Sequence, residues 1–331
     1  MQSLIVTESS EIAQARRAVA ALAARQGLNE EDAGRAALVA MEICSNLVKH
    51  GGGGELIAQP LERGDLRGVG VIGLDKGPGI ADMAKSMRDG FSTGSSPGTG
   101  LGAISRMSQL FDIYSQPGHG TAVVAQLWPE ARAPRGEKLE IGAIVVPAPN
   151  EVECGDAWCY VERAGGALVM GVDGLGHGLG ASQAASLACE VFMTERTRAP
   201  GAVLERIHTN LRTTRGAAAI VMHADWDRGQ LLAAGIGNLV AAIVEGNTAK
   251  RIPSYNGIVG HATPRIRELS YAITPTAAVV FHSDGLTAAW QPERYPGLMR
   301  HPCATIAGVL YRDCKRGRDD SMVVALRRTT S

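Results

Sequence analysis

Five glycines surround one carboxylate and one imidazole in the stretch GVDGLGHGLG, residues 171–180. Glycine loses more conformational entropy on folding than any other residue, so it is costly in an ordered segment. A cluster of this kind indicates a backbone that must approach another group closely or adopt a positive φ. The two side chains there that could do chemistry are Asp173 and His177.

Further acidic residues lie beside β-rich runs of the second half and could converge at one end of a sheet sandwich. Carboxylates combined with a backbone carbonyl form the hard oxygen site that Mg²⁺ and Mn²⁺ prefer. Two such ions about 4 Å apart can hold a water as hydroxide and neutralise a phosphate. The glycines would then bring the carbonyl of Gly174 to the metal. The candidate carboxylates are Asp156 in CGDAWCY, Asp173, Asp284 in FHSDGLTAA, and Asp319 or Asp320 in GRDDSMVVAL.

A helix predicted over 30–50 carries Glu42, Asn46 and Lys49 on one face, because they stand at i, i+4 and i+7. These groups suit a base, an Mg²⁺ ligand and a phosphate contact. A solvated amphipathic helix shows a polar face of the same kind, so the helix alone does not decide. The packing stripe of this helix is expected from Leu38, Val39, Ile43 and Leu47.

Two glycine-rich stretches follow that helix. In GLDKGPGI, residues 73–80, Asp75 ends a predicted strand, where it can accept a hydrogen bond from an exocyclic amine while the turn passes a flat ring. In GFSTGSSPGTGLGAISRM, residues 90–107, a glycine-serine loop runs into a helix. Its N–H groups and the positive end of that helix would suit a triphosphate.

The order Glu-x3-Asn-x2-Lys-His, Asp-x-Gly-x-Gly, Gly-Thr-Gly-Leu-Gly and GHGT (118–121) resembles the GHKL, or Bergerat, ATP-binding α/β sandwich of gyrase, Hsp90, histidine kinases and MutL. Within that family the chain is most similar to the small serine kinases that regulate sigma factors, the RsbT type, over about 1–128. The resemblance implies ATP and Mg²⁺ as cofactors. It makes Glu42 the catalytic base, has Asn46 hold Mg²⁺ and has Asp75 and Thr121 read adenine. The remaining nucleotide-binding positions it implies are Lys49, Gly77, Gly79, Gly98, Thr99, Gly100, Leu101 and Gly102.

The four acidic motifs, with GIGN (235–238) between them, resemble the PP2C phosphatases of the SpoIIE and RsbX branch over about 150–328. This resemblance implies a PP2C-like α/β/β/α sandwich with two Mn²⁺ or Mg²⁺ ions and Asp173 as a catalytic residue. Its metal ligands would be Asp156, Asp173, Asp284 and Asp319, together with the Gly174 carbonyl. Asp319 is preferred to Asp320 because the first acidic residue of the family's terminal pair is the ligand. His177 is either a hydrogen-bond donor near the site or a turn residue, and no catalytic arginine can be assigned upstream of Asp156.

Both halves are expected to mix helix and sheet, with a GHKL domain at 1–128, a proline-rich linker at 129–140 and a phosphatase domain at 141–331. IGAIVV, beginning at 141, is a candidate first strand of the second domain. LLAAGIGNLVAAIV is interpreted as two short strands joined by a turn. The predicted helices lie near 10–26, 30–50, 100–110, 180–193, 200–213 and 302–314. The predicted strands lie near 55–60, 67–75, 111–116, 121–127, 158–163, 167–172, 217–224, 230–235, 239–244, 278–282 and 321–327.

Composition narrows the class of protein. The 331 residues carry 33 basic and 33 acidic side chains, so no excess charge favours nucleic acid or an anionic membrane as partner. Aromatic residues make up 4%, which argues against base-stacking platforms. Six cysteines occur without a CxxC pair, and neither a signal peptide nor a membrane span is recognisable. We therefore expect a cytoplasmic protein.

Together these features predict a two-headed regulator that phosphorylates and dephosphorylates serine or threonine on an anti-sigma-antagonist partner of STAS type, and so controls a stress or sigma-factor switch. Stressosome-like proteins, an anti-sigma factor and a downstream phosphatase are further candidate partners. Joining opposing enzymes predicts reciprocal control of the two activities. One alternative makes the first half a non-catalytic, nucleotide-dependent binding module beside an active phosphatase. Another has the two domains act on different substrates.

Overall fold

The computed structural model divides into two compact units, Met1–Gly136 and Glu137–Ser331. Both units mix helices with antiparallel sheets. Most of the predicted linker, 130–137, lies outside the described residues, and the first strand of the second unit already begins at Leu139. The structure describes residues 1–82, 100–129, 138–261 and 265–329.

The described part of the first unit places three helices with one antiparallel five-stranded sheet of order β1-β2-β3-β5-β4. Buried side chains of the helices and the strands form a single apolar cluster. The helices are α1 (Ser9–Arg25), α2 (Glu30–His50) and α3 (Gly100–Met107). The strands are β1 (Gln2–Val6), β2 (Gly54–Arg63), β3 (Leu66–Leu74), β4 (Leu110–Gln116) and β5 (Gly120–Leu127).

Helix α2 carries three of the predicted nucleotide-site residues, Glu42, Asn46 and Lys49, and its ends follow from its sequence. Asn29 caps its N-terminus by accepting a hydrogen bond from the Asp32 N–H at 2.7 Å. Acidic residues occupy its first turn and basic residues its last, which suits the helix dipole. Its predicted packing stripe is wrong at Leu38, which is 46% exposed. At 100° per residue Leu38 points away from Val39, Ile43 and Leu47, which are buried.

The described part of the second unit is an α/β/β/α sandwich, which confirms the predicted fold class. Its two five-stranded sheets have the orders β13-β10-β9-β8-β7 and β12-β11-β14-β15-β6. Its helices are α4 (Leu179–Thr194), α5 (Pro200–Asn210) and α6 (Cys303–Cys314). The strands are β6 (Leu139–Val146), β7 (Asp156–Arg163), β8 (Gly166–Gly174), β9 (Ala217–Asp225), β10 (Gln230–Ile236), β11 (Val240–Glu245), β12 (Thr248–Ile252), β13 (Leu269–Ala272), β14 (Ala278–His282) and β15 (Ser321–Arg328).

Alternation along β8 shows how this sandwich is layered. Ala167 and Val169 belong to the core that also contains residues of β11, β14 and β15, and therefore lie between the two sheets. Leu168 and Met170 point to the opposite face, where they join a cluster with α4 and α5. Helix α6 packs against β6 and β15 and covers the outer face of the second sheet.

Two features of the strands bear on the site and the domain. Strands β10 and β11 were predicted as two strands joined by a turn, but they belong to different sheets, so the segment 237–239 carries the chain from one sheet to the other. The first and last strands of the unit, β6 and β15, are antiparallel neighbours, and the Thr329 N–H donates to the Lys138 carbonyl at 3.0 Å.

The helix and strand predictions are confirmed to within a few residues wherever an element was predicted. The structure adds β1, β12 and β13, which were not predicted, and it divides the predicted helix 200–213 into α5 and a 3₁₀ turn over Leu211–Thr213. Among the described residues, every helix is too short or too polar to cross a bilayer.

Candidate active sites

The acidic edge of the second unit begins with two neighbouring strands. Asp156 is the first residue of β7 and Asp173 is the second-last residue of β8, and the two are direct register partners. The Gly174 N–H donates to the Gly155 carbonyl at 2.9 Å, which fixes the ends of the two strands together. Residues directly opposite each other in an antiparallel pair point to the same face, so both carboxylates occupy one position on the sheet edge.

The glycines of GVDGLGHGLG have two structural causes in this unit. A Cβ at Gly174 would lie 2.2 Å from the Ala181 carbonyl oxygen, so the start of α4 passes too close for any side chain. Gly176 and Gly178 have φ of +83° and +72°, a left-handed conformation that other residues rarely adopt. Close approach and positive φ therefore both occur, while the contact of the Gly174 carbonyl with a metal stays a prediction.

Asp284 and Asp319 line an open cavity of about 440 Å³, together with Arg316 and Arg318. Asp284 follows β14, and its Oδ2 accepts a hydrogen bond from Asn238 Nδ2 at 2.7 Å. Asn238 is the asparagine of GIGN, and it reaches the site because the segment that carries it crosses between the sheets. The sequence motif was noticed, but the role of this side chain was missed.

The terminal acidic pair divides into two roles. Asp320 is buried, and its two carboxylate oxygens accept hydrogen bonds from the N–H groups of Ala148 and Gly155 at 2.8 and 2.9 Å. Asp319 is exposed and lines the cavity. Asp319 Oδ1 accepts a hydrogen bond from the Asp320 N–H at 2.9 Å and its side chain lies at the cavity, while Asp320 holds the segment before β7. This arrangement supports the preference for Asp319, which remains a prediction.

Asp156 carries an unpaired oxygen in the interior. It is 3% exposed, and its Oδ2 accepts a 2.6 Å hydrogen bond from Ser283 Oγ. Its Oδ1 is buried and has no hydrogen-bond partner among the described residues. An unpartnered carboxylate oxygen is costly to bury, so a cation at this position would remove an unfavourable feature.

Electrostatics show that the acidic residues form one group. Burial, followed by the charges of Asp284 and Asp319, raises the pKa of Asp173 from 3.8 to about 8. Burial and then the charge of Asp173 raise the pKa of Asp156 well above its usual value. Burial and Asp319 also raise the pKa of Asp284. Like charges in one place disfavour joint ionisation, and divalent cations would reverse that preference.

The donor set fits hydrated divalent cations. In the parts of the chain that the structure describes, no three His, Cys, Asp or Glu side chains are close enough together to enclose one ion. Mg²⁺ usually keeps several waters and takes only one or two carboxylates, so a looser set of carboxylates is compatible with it. The residues that would hold the ions are Asp156, Asp173, Asp284 and Asp319.

Two contacts hold the chain around the start of α4, and the sequence indicated neither of them. His177 Nδ1 lies 2.7 Å from Glu151 Oε1, and the His177 side chain is 60% exposed. A Cβ at Gly180 would lie 2.6 Å from the Arg215 guanidinium, which therefore packs against the backbone of the first turn of α4. His177 thus contacts Glu151. The contact of Arg215 could not be predicted from the sequence, because it depends on the fold placing β9 and the turn before it beside α4.

Glu42 and Asn46 face the start of α3 in the first unit. A Cβ added at Gly100 would lie 3.4 Å from both Glu42 Oε2 and Asn46 Oδ1, an ordinary contact distance, so both side chains lie beside the first residue of α3. The Asn46 Nδ2 atom is buried and has no hydrogen-bond partner among the described residues. Lys49 lies one turn further, in the last turn of α2. A carboxylate and an amide therefore lie beside the glycine-rich N-terminal turn of α3.

Asp75 is held in place by the backbone around it. Its Oδ1 accepts hydrogen bonds from the N–H groups of Gly77 at 2.9 Å and Thr121 at 3.2 Å. A Cβ at Gly77 would meet the Gly51 backbone at 2.8 Å, and one at Gly120 would lie 2.0 Å from the Asp75 carbonyl oxygen. The motif glycines therefore allow three backbone segments to meet around one carboxylate.

The other predicted nucleotide-binding residues lie on either side of this group. Thr121 Oγ1 is 2.9 Å from Ser115 Oγ, and Gly79 adopts a φ of +71° beside β4. Gly100, Leu101 and Gly102 form the first turn of α3. Gly98 and Thr99 lie outside the described residues. A helix start near Glu42 and Asn46 is suited to phosphate, while the triphosphate contact itself remains a prediction.

Comparison with known proteins agrees with this division. A family model described as a histidine kinase-like ATPase domain matches residues 5–127, and one described as stage II sporulation protein E (SpoIIE) matches residues 163–329. The serine/threonine-protein kinase RsbT of Bacillus subtilis (strain 168) is 36% identical over 103 residues, which are 31% of this chain and 77% of that protein.

Two solved structures extend the comparison. One, described as the bacterial stressosome, a modular system adapted to control secondary messenger signalling, shares 26% identity with a TM-score of 0.54 and covers 58% of this chain and 100% of its own. RsbX in complex with magnesium shares 13% identity with a TM-score of 0.52, covers 60% of this chain and 99% of its own, and supports the fold alone. The predicted resemblances are confirmed, and the chain belongs to the SpoIIE family of PP2C-type phosphatases, with an RsbT-like kinase domain as its first unit.

Proposed function

We propose that this chain sets the phosphorylation state of a serine or threonine on a small antagonist protein of STAS type. The first unit transfers the γ-phosphoryl group of ATP to that residue, and the second unit hydrolyses the phosphate. The observation that carries the proposal is the convergence of carboxylates from separate segments at one edge of the second unit, with Asp156 directly opposite Asp173.

The phosphatase chemistry needs residues that hold two divalent cations and leave room for a phosphate. Bound at this edge, the cations would supply an activated water and neutralise phosphate charge. Ser283 holds the Asp156 carboxylate and Asn238 holds the Asp284 carboxylate, so both side chains are oriented before any ion arrives. The buried edge also excludes bulk water from Asp156, which strengthens its interaction with a cation.

The kinase chemistry is assigned to residues of α2 and to the turn after β3. Glu42 would take the proton from the substrate hydroxyl as it attacks the γ-phosphorus. Asn46 would hold Mg²⁺ through its Oδ1 oxygen, because its Nδ2, which has no partner among the described residues, can only donate a hydrogen bond. Asp75, already fixed by two backbone N–H groups, would accept a hydrogen bond from the exocyclic amine of adenine.

The relatives support a class of partner protein. RsbT is named as a serine/threonine-protein kinase, and one similar structure is described as the bacterial stressosome. A STAS-type antagonist or a stressosome-like protein is therefore the proposed substrate, and an anti-sigma factor or a downstream phosphatase is a further candidate partner. Because ATP is the phosphoryl donor, the proposal places the chain in the cytoplasm.

A second candidate makes the first unit a binding module that uses nucleotide only as a support. The position of Glu42 beside Asn46 and the α3 start favours catalysis, because a pure binder needs no base at that point. A third candidate gives the two units different substrates. Transfer of labelled phosphate from ATP to a candidate antagonist, measured for the full chain and for Glu42→Ala, separates the first two.

The decisive experiment incubates the full chain with ATP, Mn²⁺ and a purified STAS-type antagonist and follows serine phosphate over time. Asp173→Asn should let phosphate accumulate, and Asn46→Ala should prevent its appearance. Reciprocal control predicts that partner proteins change the ratio of the two activities. A constant ratio under every partner condition would contradict that control, and failure of both units to act on one antagonist would favour separate substrates.

A further inference from the structure

The cavity at the acidic edge contains two arginines to which the proposed function gives no role. Arg316 and Arg318 line it together with Asp284 and Asp319, so two guanidinium groups stand beside two candidate metal ligands. Both arginines are exposed. The Arg318 side chain forms no hydrogen bond or ion pair with any residue that the structure describes. A guanidinium group without a partner among the described residues, next to a site that is proposed to bind phosphate, calls for a functional role.

The backbone presents the two arginines on one short and well-fixed turn. The segment 315–320 connects α6 to β15, and Gly317 between the arginines has a φ of +69°. The Arg316 N–H donates to the Gly285 carbonyl at 2.8 Å, which ties the turn to the residue after Asp284. A bridge between Leu286 and Lys315 holds the same two segments together. The backbone that carries Arg316 is therefore tied to the segment that follows Asp284.

The net charge of the side chains around the cavity, together with any bound cations, becomes positive when divalent cations bind. Without cations, Asp284 and Asp319 attract the guanidinium groups, and Arg316 partly offsets the effect of burial and Asp319 on the pKa of Asp284. Once divalent cations neutralise the carboxylates, the arginines have no anionic partner left within the cavity. A dianionic phosphate then becomes the natural partner, because a guanidinium donates parallel hydrogen bonds to phosphate oxygens.

We propose that Arg316 and Arg318 bind the phosphoryl group of the substrate by donating hydrogen bonds to its non-bridging oxygens, next to Asp284 and Asp319, which would hold the cations. This inference rests on the proposed phosphatase function and names the protein groups that recognise the phosphate. It assigns substrate-binding residues to the turn before β15, where the sequence analysis had found only metal ligands. Surfaces outside this cavity would bind the rest of the substrate protein.

The test measures binding of inorganic phosphate to the Mn²⁺-loaded full chain by calorimetry. Loss of a charge-assisted hydrogen bond weakens binding by about tenfold. We therefore expect Arg316→Ala and Arg318→Ala each to raise the phosphate dissociation constant by about tenfold, and Arg318→Lys to lie between wild type and alanine. Arg300→Ala, an exposed arginine of the same unit that does not line the cavity, is the control and should leave phosphate binding unchanged.

A second measurement separates phosphate recognition from an effect on the cations. Titration of Mn²⁺ into each variant should show unchanged or tighter metal binding, because a neighbouring positive charge has been removed. Unchanged phosphate affinity in both alanine variants would overturn the proposal. A parallel loss of Mn²⁺ affinity, or a wild-type chain that binds no phosphate even at tens of millimolar, would overturn it as well.

Hydrolysis of a phosphoserine peptide distinguishes this inference from the proposed function. If wild type hydrolyses the peptide and the arginine variants raise KM with phosphate affinity falling in step, both stand. If wild type binds phosphate through these arginines but hydrolyses no phosphoserine, the proposed function fails while the inference stands. If hydrolysis proceeds with the KM of wild type in both arginine variants, the inference fails and the phosphatase remains.

Discussion

Asp156 and Asp173 face each other as direct partners across two antiparallel strands, and both carboxylates are largely removed from water. Two such groups repel when ionised, and burial makes ionisation costlier still. The folded edge is therefore electrostatically unfavourable at neutral pH until cations occupy it. This relationship makes metal binding, protonation and stability of the second unit interdependent.

Replacing Asp173 by asparagine should remove phosphatase activity while stabilising the metal-free protein. The substitution removes a candidate ligand, so we expect hydrolysis of a phosphoserine peptide to fall by more than about 100-fold. It also removes a carboxyl group that the folded unit keeps protonated at neutral pH while the unfolded chain ionises it, so the midpoint of thermal unfolding without metal should rise. Both are measured on the purified full chain. The control is Glu162→Gln, an exposed acidic residue on β7, and equal effects in both variants would contradict the prediction.

The metal-free protein should lose stability as pH rises from about 4 to about 8. In the unfolded chain Asp173 ionises near its usual pKa of 3.8, whereas in the folded unit its pKa is about 8 because of burial and the neighbouring carboxylates. The folded state therefore holds more protons than the unfolded state across this window, and the free energy of unfolding falls as pH rises through it. Urea unfolding of chelator-treated protein at several pH values measures this slope. Asp173→Asn should flatten it, and an identical slope in both proteins would refute the assignment.

The two polar residues of α2 should fail in different ways. Glu42→Gln keeps the shape of the site but removes the base, so phosphate transfer should fall by about 10²–10⁴-fold while ATP binding stays near wild type. Asn46→Ala removes the candidate Mg²⁺ ligand and should weaken Mg²⁺-ATP binding itself. Nucleotide binding and labelled-phosphate transfer separate the two effects. Glu31→Gln, an exposed residue at the start of the same helix, is the control, and loss of ATP binding in Glu42→Gln would argue against its role as a base.

Two glycines of GHGT offer a matched comparison of strain and contact. Gly118 and Gly120 both have positive φ, at +77° and +85°. A Cβ at Gly118 meets nothing within 4 Å, whereas one at Gly120 lies 2.0 Å from the Asp75 carbonyl oxygen. Gly118→Ala should therefore cost only about 1–2 kcal/mol of stability and leave ATP affinity unchanged. Gly120→Ala should also displace Asp75 and weaken ATP binding. Isothermal titration with ATP decides, and equal ATP affinities would show that the adenine site lies elsewhere.

The sequence was sufficient for most of the helices and strands and for the spacing of residues within one element. Glu42 and Asn46 share a face because helical geometry alone places them there, and the predicted ends of α2 agree with the structure because its cap and its charged ends are local. The error at Leu38 is also local, since the stripe was drawn too wide for a helix with 100° between residues. The acidic residues were recognised by the order of four motifs along the chain, each lying beside a predicted strand.

The supporting contacts could not be predicted, because they join residues far apart in the chain. Ser283 and Asp156 are 127 residues apart, and Asn238 and Asp284 are 46 apart. Neither pairing leaves a periodic signal, and each depends on which sheet the intervening strand joins. The division of roles between Asp319 and Asp320 likewise depends on the segment that Asp320 binds, which lies 165 residues earlier at Gly155.

The pairing of β6 with β15 places the two ends of the second unit side by side. A chain that enters and leaves a folded body at one point can be joined to another polypeptide, or cut at a distant hairpin and rejoined, without rerouting any strand. A circular permutant that links Arg328 to Leu139 through a short glycine-rich bridge and opens the Gly246 turn would keep every acidic residue of the edge in place. Such a rearranged chain, made without the first unit, would show whether the second unit is an autonomous domain.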